Sequence, residues 1–122
     1  MASVLIIDDD SGIRTLVRSV LERAGHTVDE ASDGAEGMMR YRVAPADLVI
    51  TDVFMPGQDG IETIQQLRDE FPDVRILAIS GGSAAGPRGT LTDARMLGAD
   101  ATLAKPFTIE EFTTAVAGLL NG

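Results

Sequence analysis

Residues Asp47–Asp59 read DLVITDVFMPGQD, and this stretch places a carboxylate at the end of an apolar strand. Leu48–Ile50 is a short apolar run, which is typical of a buried strand. Asp52 follows two residues after this run, and Pro56-Gly57 ends regular structure soon afterwards. We therefore interpret Asp52 as a candidate nucleophile at the open end of a strand.

Length and composition predict one compact domain, residues 1–122, with 44% apolar residues and a single core. The absence of cysteine excludes disulfides and thiolate metal sites. No apolar run approaches the ~20 residues that span a bilayer, and the start MASVLIIDDD lacks the basic region of a signal peptide. We therefore expect a cytoplasmic protein. The net charge of −9 argues against direct binding to nucleic acid or to an anionic membrane, although it permits a basic partner.

Strand patterns and helix patterns alternate five times along the chain. The predicted strands are Ser3–Ile7, Thr27–Ala31, Leu48–Thr51, Val74–Ile79 and Ala101–Ala104. The predicted helices cover residues 13–24, 35–43, 61–71, 91–97 and 109–120, the last of them capped by Thr108. This alternation predicts an α/β domain with a doubly wound parallel sheet. In such sheets, ligands bind beyond the carboxyl ends of the strands.

Chemically reactive side chains follow four of these strands. Asp8-Asp9-Asp10 ends the first strand, Asp52 the third, Ser80 the fourth and Lys105 the fifth. A parallel sheet brings all four ends to one edge. Carboxylates that lie close together repel each other, and a divalent cation relieves that repulsion. Oxygen ligands suit Mg²⁺, Mn²⁺ or Ca²⁺ rather than zinc.

Lys105 is the only lysine in the chain, since the other basic residues are arginines. Its compact ammonium group can pair with a carboxylate at rest and with a phosphoryl oxygen later. Pro106 follows it, and we expect a cis peptide bond there. Ser80 offers a hydroxyl donor to a further phosphoryl oxygen. Phosphoryl transfer requires in-line placement and charge neutralisation, and an aspartate nucleophile would form an acyl phosphate.

Four stretches carry a resemblance to a known family: VLIIDDDSGIR, LVITDVFMPGQDG, ILAIS and LGADATLAKPF. In this order they resemble the receiver domain of bacterial two-component response regulators over essentially the whole chain. The resemblance implies a flavodoxin-like (βα)5 fold with strand order 2-1-3-4-5. It also implies site roles: Asp52 as phosphoacceptor, Asp9 as direct Mg²⁺ ligand, Asp8 as direct or water-mediated ligand, the Phe54 carbonyl as metal ligand, and Ser80 and Lys105 as phosphoryl contacts.

The same resemblance implies a signalling function rather than a dedicated substrate enzyme. Such a domain would use Mg²⁺ or Mn²⁺ to take a phosphoryl group from a sensor histidine kinase or a histidine phosphotransfer protein. It would then switch the surface formed by its fourth helix, fifth strand and fifth helix, and hydrolyse its own acyl phosphate. The signal would reach a downstream protein target or an output domain missing from these 122 residues.

Two features depart from the family pattern. Thr102 stands where the family usually has an aromatic residue that rotates inward on activation. The stretch Gly81–Gly89 is longer and richer in glycine than is usual at that place. We therefore expect the output signal to run more through this loop and the helix after it.

Three other functions fit part of the pattern. Asp8-x-Asp10 after an apolar strand resembles the nucleophile motif of haloacid-dehalogenase-type phosphatases, although that family normally requires a larger chain with a cap. A flavodoxin-type binding module is disfavoured because Asp8–Asp10 would repel a flavin phosphate. A receiver-like interaction module without turnover is the third alternative. Asp10 is assigned to helix capping, and His26, the only histidine, is expected to be exposed and without function.

Overall fold

The structure is a computed structural model that describes residues 2–53, 60–80 and 98–121, with Ser80 described by its backbone alone. These ranges contain five strands and four helices. The strands are β1 (Ser3–Ile7), β2 (Thr27–Ala31), β3 (Leu48–Asp52), β4 (Ile76–Ser80) and β5 (Ala101–Ala104). The helices are α1 (Ser11–Arg23), α2 (Gly34–Val43), α3 (Gly60–Glu70) and α4 (Ile109–Asn121), which is the last of the five predicted helices. The predicted helix over residues 91–97 and the stretch Gly81–Gly89 lie outside the described residues.

The five strands form one parallel sheet in the order β2-β1-β3-β4-β5. This confirms the predicted doubly wound, flavodoxin-like fold and its strand order. The register places Ile7 beside Thr51 and Ser80 beside Ala104. Because all strands run the same way, their carboxyl ends meet at one edge.

Two apolar layers cover the two faces of the sheet, which explains why the central strands are almost continuously apolar. The layer beneath α2 and α3 includes Leu5, Ile7, Met38, Val49, Ile64 and Leu67. The layer beneath α1 and α4 includes Val4, Ile6, Val17, Leu21, Ile50, Phe112 and Val116. Alternate residues of one strand therefore pack into opposite layers of the core.

Local signals end or begin the helices as the sequence indicates. Gly25 follows α1 with a φ of 94°, a conformation that favours glycine. At the start of α4, the Thr108 Oγ1 accepts from the Glu111 N–H at 3.0 Å, and the Thr108 N–H donates to the Glu111 carboxylate at 2.8 Å. This reciprocal pair is a capping box, so the predicted cap at Thr108 is confirmed.

Three sequence expectations need correction. β3 extends to Asp52 instead of ending at Thr51. β4 begins at Ile76 rather than Val74, because the Val74 N–H turns back to the Phe71 carbonyl at 3.0 Å. His26 is partly buried rather than exposed, since its Nδ1 accepts a 3.1 Å hydrogen bond from the Ala2 N–H.

Within residues 2–53, 60–80 and 98–121, the helices are too short or too polar to cross a lipid bilayer.

Candidate functional site

Three carboxylates meet at the carboxyl edge of β1 and β3. Since Ile7 and Thr51 are partners in the sheet, Asp8 and Asp52 leave their strands at the same level. Asp9 lies beside them, and one carboxylate oxygen from each of the three residues falls within 4.8 Å of the others. Asp8 and Asp52 are buried, whereas Asp9 is exposed. The sheet therefore brings together acids that lie more than forty residues apart in the chain.

Lys105 joins this cluster from the end of β5. Its Nζ lies 3.1 Å from Asp52 Oδ2 and 3.6 Å from Asp8 Oδ2. Burial lowers the pKa of Lys105, but its hydrogen bond with Asp52 and the charges of Asp52 and Asp8 outweigh burial and raise the pKa above its ordinary value. The ammonium group therefore stays charged. The Lys105–Pro106 peptide bond is cis, as predicted.

The Asp10 carboxylate does not belong to this group of three acids. Its Oδ1 accepts from the Gly12 and Ile13 N–H groups at 2.8 and 3.2 Å, so Asp10 caps α1, as the sequence indicates. The Asp10 N–H donates to Asp8 Oδ1 at 2.9 Å. Of the three consecutive acids, Asp10 therefore caps a helix, whereas Asp8 and Asp9 belong to the cluster.

The pKa of Asp8 is raised to about 6, chiefly because burial removes water from its carboxylate. The hydrogen bond from the Asp10 N–H and the charge of Lys105 lower the pKa, whereas the charges of Asp52 and Asp9 raise it. The combined effect of burial and the acidic neighbours is larger than that of the hydrogen bond and Lys105. A further cation would therefore be held favourably here.

The donor set fits a hard divalent cation. Asp8, Asp9 and Asp52 offer carboxylate oxygens, with no sulfur or imidazole among the described groups of the cluster. Oxygen-only sites suit Mg²⁺ and Mn²⁺ rather than zinc. Two of these acids are buried, and burying carboxylates without a compensating charge is costly.

The structure leaves two other candidate residues partly or wholly undescribed. Ser80 ends β4 level with Ala104, which places its backbone at the same edge, but its side chain lies outside the description. Phe54 lies wholly outside the described residues. Thr102 is partly buried in β5, where it pairs with Ala78.

The family model for the response regulator receiver domain matches residues 4–117. This chain belongs to that family. The receiver domain is 36% identical to the response regulator MprA of Mycobacterium ulcerans over 118 residues, which are 97% of this chain and 50% of MprA. It is 34% identical to the transcriptional regulatory protein ResD of Bacillus subtilis, over 97% of this chain and 48% of ResD. The chain thus spans about half the length of the curated relatives it matches.

Solved structures agree with this assignment. The chemotaxis response regulator CheY4 of Vibrio cholerae superposes with a TM-score of 0.88 at 31% identity, covering 98% of this chain and 99% of CheY4. A receiver domain protein from Clostridium thermocellum gives a TM-score of 0.89 at 28% identity, covering 99% of this chain and 95% of that protein. Membership in this family supports a role in phosphorylation-dependent two-component signalling. Receiver domains generally bind Mg²⁺ at an acidic pocket, and they interact with histidine kinases and downstream effectors.

Two residues that support the acids of this receiver domain were not evident from the sequence. Gly60 begins α3, and a Cβ atom there would lie 2.0 Å from the Asp52 carbonyl oxygen. Arg14 on α1 donates from Nη1 to the Asp8 carbonyl at 2.5 Å. The sequence shows a glycine at a helix start and an arginine on a helix, and neither pattern reveals which strand end it contacts.

Replacing Asp8 with asparagine is expected to stabilise the metal-free receiver domain by about 1–3 kcal/mol near pH 7.5. The folded protein binds the Asp8 proton more tightly than the unfolded chain does, because the pKa rises from 3.8 to about 6 on folding. The stability that protonated Asp8 contributes is therefore fully present below pH 3.8 and is lost as the pH rises through about 6. Asparagine carries no such charge and keeps an oxygen for the Asp10 N–H.

Urea unfolding in EDTA measures this effect, and the advantage of Asp8→Asn should shrink between about pH 7.5 and pH 5. Asp9→Asn is the matched control, since Asp9 is exposed and a smaller change is expected. An Asp8→Asn protein less stable than the native chain in EDTA at neutral pH would contradict this account.

Proposed function

We propose that Asp52 of this receiver domain accepts a phosphoryl group from a phosphohistidine of a sensor histidine kinase or histidine phosphotransfer protein. In this proposal Mg²⁺, or Mn²⁺, is held beside it by Asp8, Asp9 and Asp52. The observation that carries the proposal is the position of Lys105, whose Nζ lies 3.1 Å from Asp52 Oδ2 within a cluster of three carboxylates.

Asp52 is better placed than Asp8 to act as the nucleophile. Asp8 Oδ1 already accepts a hydrogen bond from the Asp10 N–H, and Asp8 lies farther from the Lys105 ammonium than Asp52 does. Among the described acids, Asp52 is nearest to the ammonium group of Lys105, which can turn from the carboxylate to an arriving phosphoryl oxygen.

The transfer is an in-line displacement at phosphorus. An Asp52 carboxylate oxygen forms the new P–O bond while the bond from phosphorus to the donor histidine nitrogen breaks. That nitrogen keeps the electron pair and takes a proton from solvent. A bound divalent cation would supply neutralisation of the negative charge on the phosphoryl oxygens. Lys105 neutralises a further oxygen, and we assign the same task to the Ser80 hydroxyl and a metal-ligand role to the Phe54 carbonyl.

We further propose that the acyl phosphate changes the surface around β5 and the helices on either side of it. Lys105 follows β5 directly and α4 begins four residues later, so a new partner for Lys105 bears on both elements. Thr102 supplies less volume than an aromatic residue for a switch of the usual kind. The domain would then hydrolyse its acyl phosphate.

We also propose that residues 1–122 act in the cytoplasm as one domain, which signals to a downstream protein or to an attached output domain. The proposed partners are therefore proteins rather than nucleic acid or a membrane, in keeping with the net charge of −9.

Incubation with acetyl phosphate and Mg²⁺, followed by intact mass measurement, tests this function. We expect the native chain to gain the mass of one phosphoryl group with Mg²⁺ and none in EDTA. Reduction of the acyl phosphate with borohydride and peptide mapping should locate the modified residue at Asp52. A modified Asp8 would instead support a phosphatase of haloacid-dehalogenase type. No modification with any divalent cation would favour an interaction module without turnover.

A further inference from the structure

Arg14 holds the acidic turn after β1 from two sides. Its backbone N–H donates to the Asp10 carbonyl at 3.0 Å, as part of the first turn of α1. Its side chain reaches back, and Nη1 donates to the Asp8 carbonyl at 2.5 Å. The residue between these two carbonyls is Asp9. One residue of α1 therefore restrains both ends of the segment that carries the exposed acid of the cluster.

The guanidinium of Arg14 is itself fixed by β2. Its Nε donates to Glu30 Oε1 at 3.0 Å, and the second Glu30 oxygen accepts from Arg18 Nη1 at 2.7 Å. The Arg14 side chain is 18% exposed, so this pair is shielded more than an ordinary surface ion pair. A planar guanidinium offers donors at fixed angles to both acceptors, which a lysine ammonium cannot reproduce.

The acids of the cluster depend on their backbone for position. Within the described residues, the Asp9 side chain has no hydrogen bond or ion pair that would orient it. Asp8 is held through its N–H, which donates to the Ala31 carbonyl at 3.1 Å, and through its contacts with Arg14 and Asp10. Among the described residues, Arg14 is thus the side chain that donates a hydrogen bond to the backbone between the two proposed ligands on this turn.

We propose that Arg14 is a positioning residue that sets the Mg²⁺ affinity of this receiver domain by holding the Asp8 carbonyl, with Glu30 as its anchor. This inference rests on the proposed function, because it assumes that Asp8 and Asp9 hold the metal. We expect the effect of Arg14 to reach the phosphoacceptor Asp52 through the metal.

Two physical effects of removing Arg14 have opposite signs. Loss of a positive charge near the cluster would by itself strengthen the binding of a divalent cation. Loss of the restraint on the turn weakens binding, as is typical when a group that orients a metal ligand is removed. Since Glu30 already neutralises much of the Arg14 charge, we expect the second effect to prevail, with Mg²⁺ affinity falling roughly tenfold in Arg14→Gln.

Titration calorimetry with Mg²⁺ alone, on the full chain, measures this affinity. Arg18→Gln is the matched control, because Arg18 shares the Glu30 partner but makes no hydrogen bond to the acidic turn. We expect Arg18→Gln to bind Mg²⁺ as the native chain does, and Arg14→Lys to fall between the native chain and Arg14→Gln. Glu30→Gln, which keeps Arg14 but weakens its anchor, should show a smaller loss and serves if Arg14→Gln does not fold.

Phosphorylation by acetyl phosphate gives a second measurement. In Arg14→Gln the Mg²⁺ concentration for half-maximal rate should rise roughly tenfold, in line with the affinity, whereas the rate at saturating Mg²⁺ should return to the native value. A purely structural loss would lower the rate at every Mg²⁺ concentration and would overturn the proposal.

Unchanged or tighter Mg²⁺ binding by Arg14→Gln would also overturn it, as would an equal loss in Arg18→Gln. Failure of the proposed function and failure of this inference give different results. A native chain that binds no Mg²⁺ refutes the proposed function together with this inference. A native chain that binds Mg²⁺ with the same affinity as Arg14→Gln refutes this inference alone.

Discussion

The Asp52→Asn protein is expected to take up no phosphoryl group from acetyl phosphate under conditions in which the native chain is modified. Asparagine has nearly the shape of aspartate, but its neutral amide oxygen is a poor nucleophile and leaves the Lys105 ammonium with one fewer charged partner. Intact mass in the presence of Mg²⁺ measures the result. The fold should persist, because the remaining contact of Lys105 with Asp8 still pairs the charge.

Two controls separate chemistry from folding in this experiment. Asp69→Asn makes the same change at an exposed carboxyl near the end of α3, and should be phosphorylated normally. Far-UV circular dichroism should be the same for the native chain and both variants. A phosphoryl group on Asp52→Asn would show that another residue is the acceptor, and peptide mapping would then identify it.

Replacing Gly60 with alanine is expected to destabilise the receiver domain by about 3 kcal/mol, the upper end of the usual cost of overpacking. The new Cβ would lie 2.0 Å from the Asp52 carbonyl oxygen and 2.5 Å from the Val53 Cα. Both are backbone atoms, so neither can turn aside as a flexible side chain would. The gain in helix propensity, about 1 kcal/mol, offsets only part of this cost.

Urea unfolding in EDTA, followed by circular dichroism, gives the free energy of unfolding. Gly118→Ala is the matched control: it lies in α4, its Cβ would meet nothing within 4 Å, and we expect a gain of about 0.5–1 kcal/mol. Gly37→Ala should fall between the two, since its Cβ would meet the movable Ile7 side chain. If Gly60→Ala is as stable as Gly118→Ala, the close approach of α3 to β3 does not exist in solution.

The same contact predicts a second defect in Gly60→Ala. Relief of the clash must shift either α3 or the Asp52 backbone, and the Gly60 N–H donates to the Val53 carbonyl at 3.0 Å. We therefore expect slower phosphorylation even at temperatures where the variant is folded.

Sequence patterns predicted the sheet because each pattern depends on neighbouring residues. Apolar runs such as Ser3–Ile7 indicate a strand that is buried on both faces, and their alternation with helices indicates a parallel sheet. The strand order 2-1-3-4-5 came from the family resemblance. A parallel sheet predicts that Asp8, Asp52 and Lys105 lie at one edge, whereas the distances of 3.1 and 3.6 Å between Lys105 and these acids depend on how the side chains pack.

Contacts between distant segments were beyond the same patterns. The Arg14 side chain turns back to the Asp8 carbonyl because Glu30, sixteen residues away, holds its guanidinium. Gly60 reads as a simple helix start, yet the packing of α3 against the end of β3 leaves no space for a Cβ. The sequence predicts an exposed His26, but the Ala2 N–H donates a hydrogen bond to its Nδ1. Each case depends on which backbone atoms come close to the side chain or Cβ position. The packing of helices and strands in the complete fold determines those distances.

The scarcity of lysine makes the centre of this domain chemically addressable. Lys105 is the only lysine, so a reagent that acylates amines has one interior target besides the amino terminus. Its raised pKa and its contacts with Asp52 and Asp8 keep that amine protonated and slow to react. The rate of acylation at Lys105 therefore reports the strength of its ion pairs with Asp52 and Asp8.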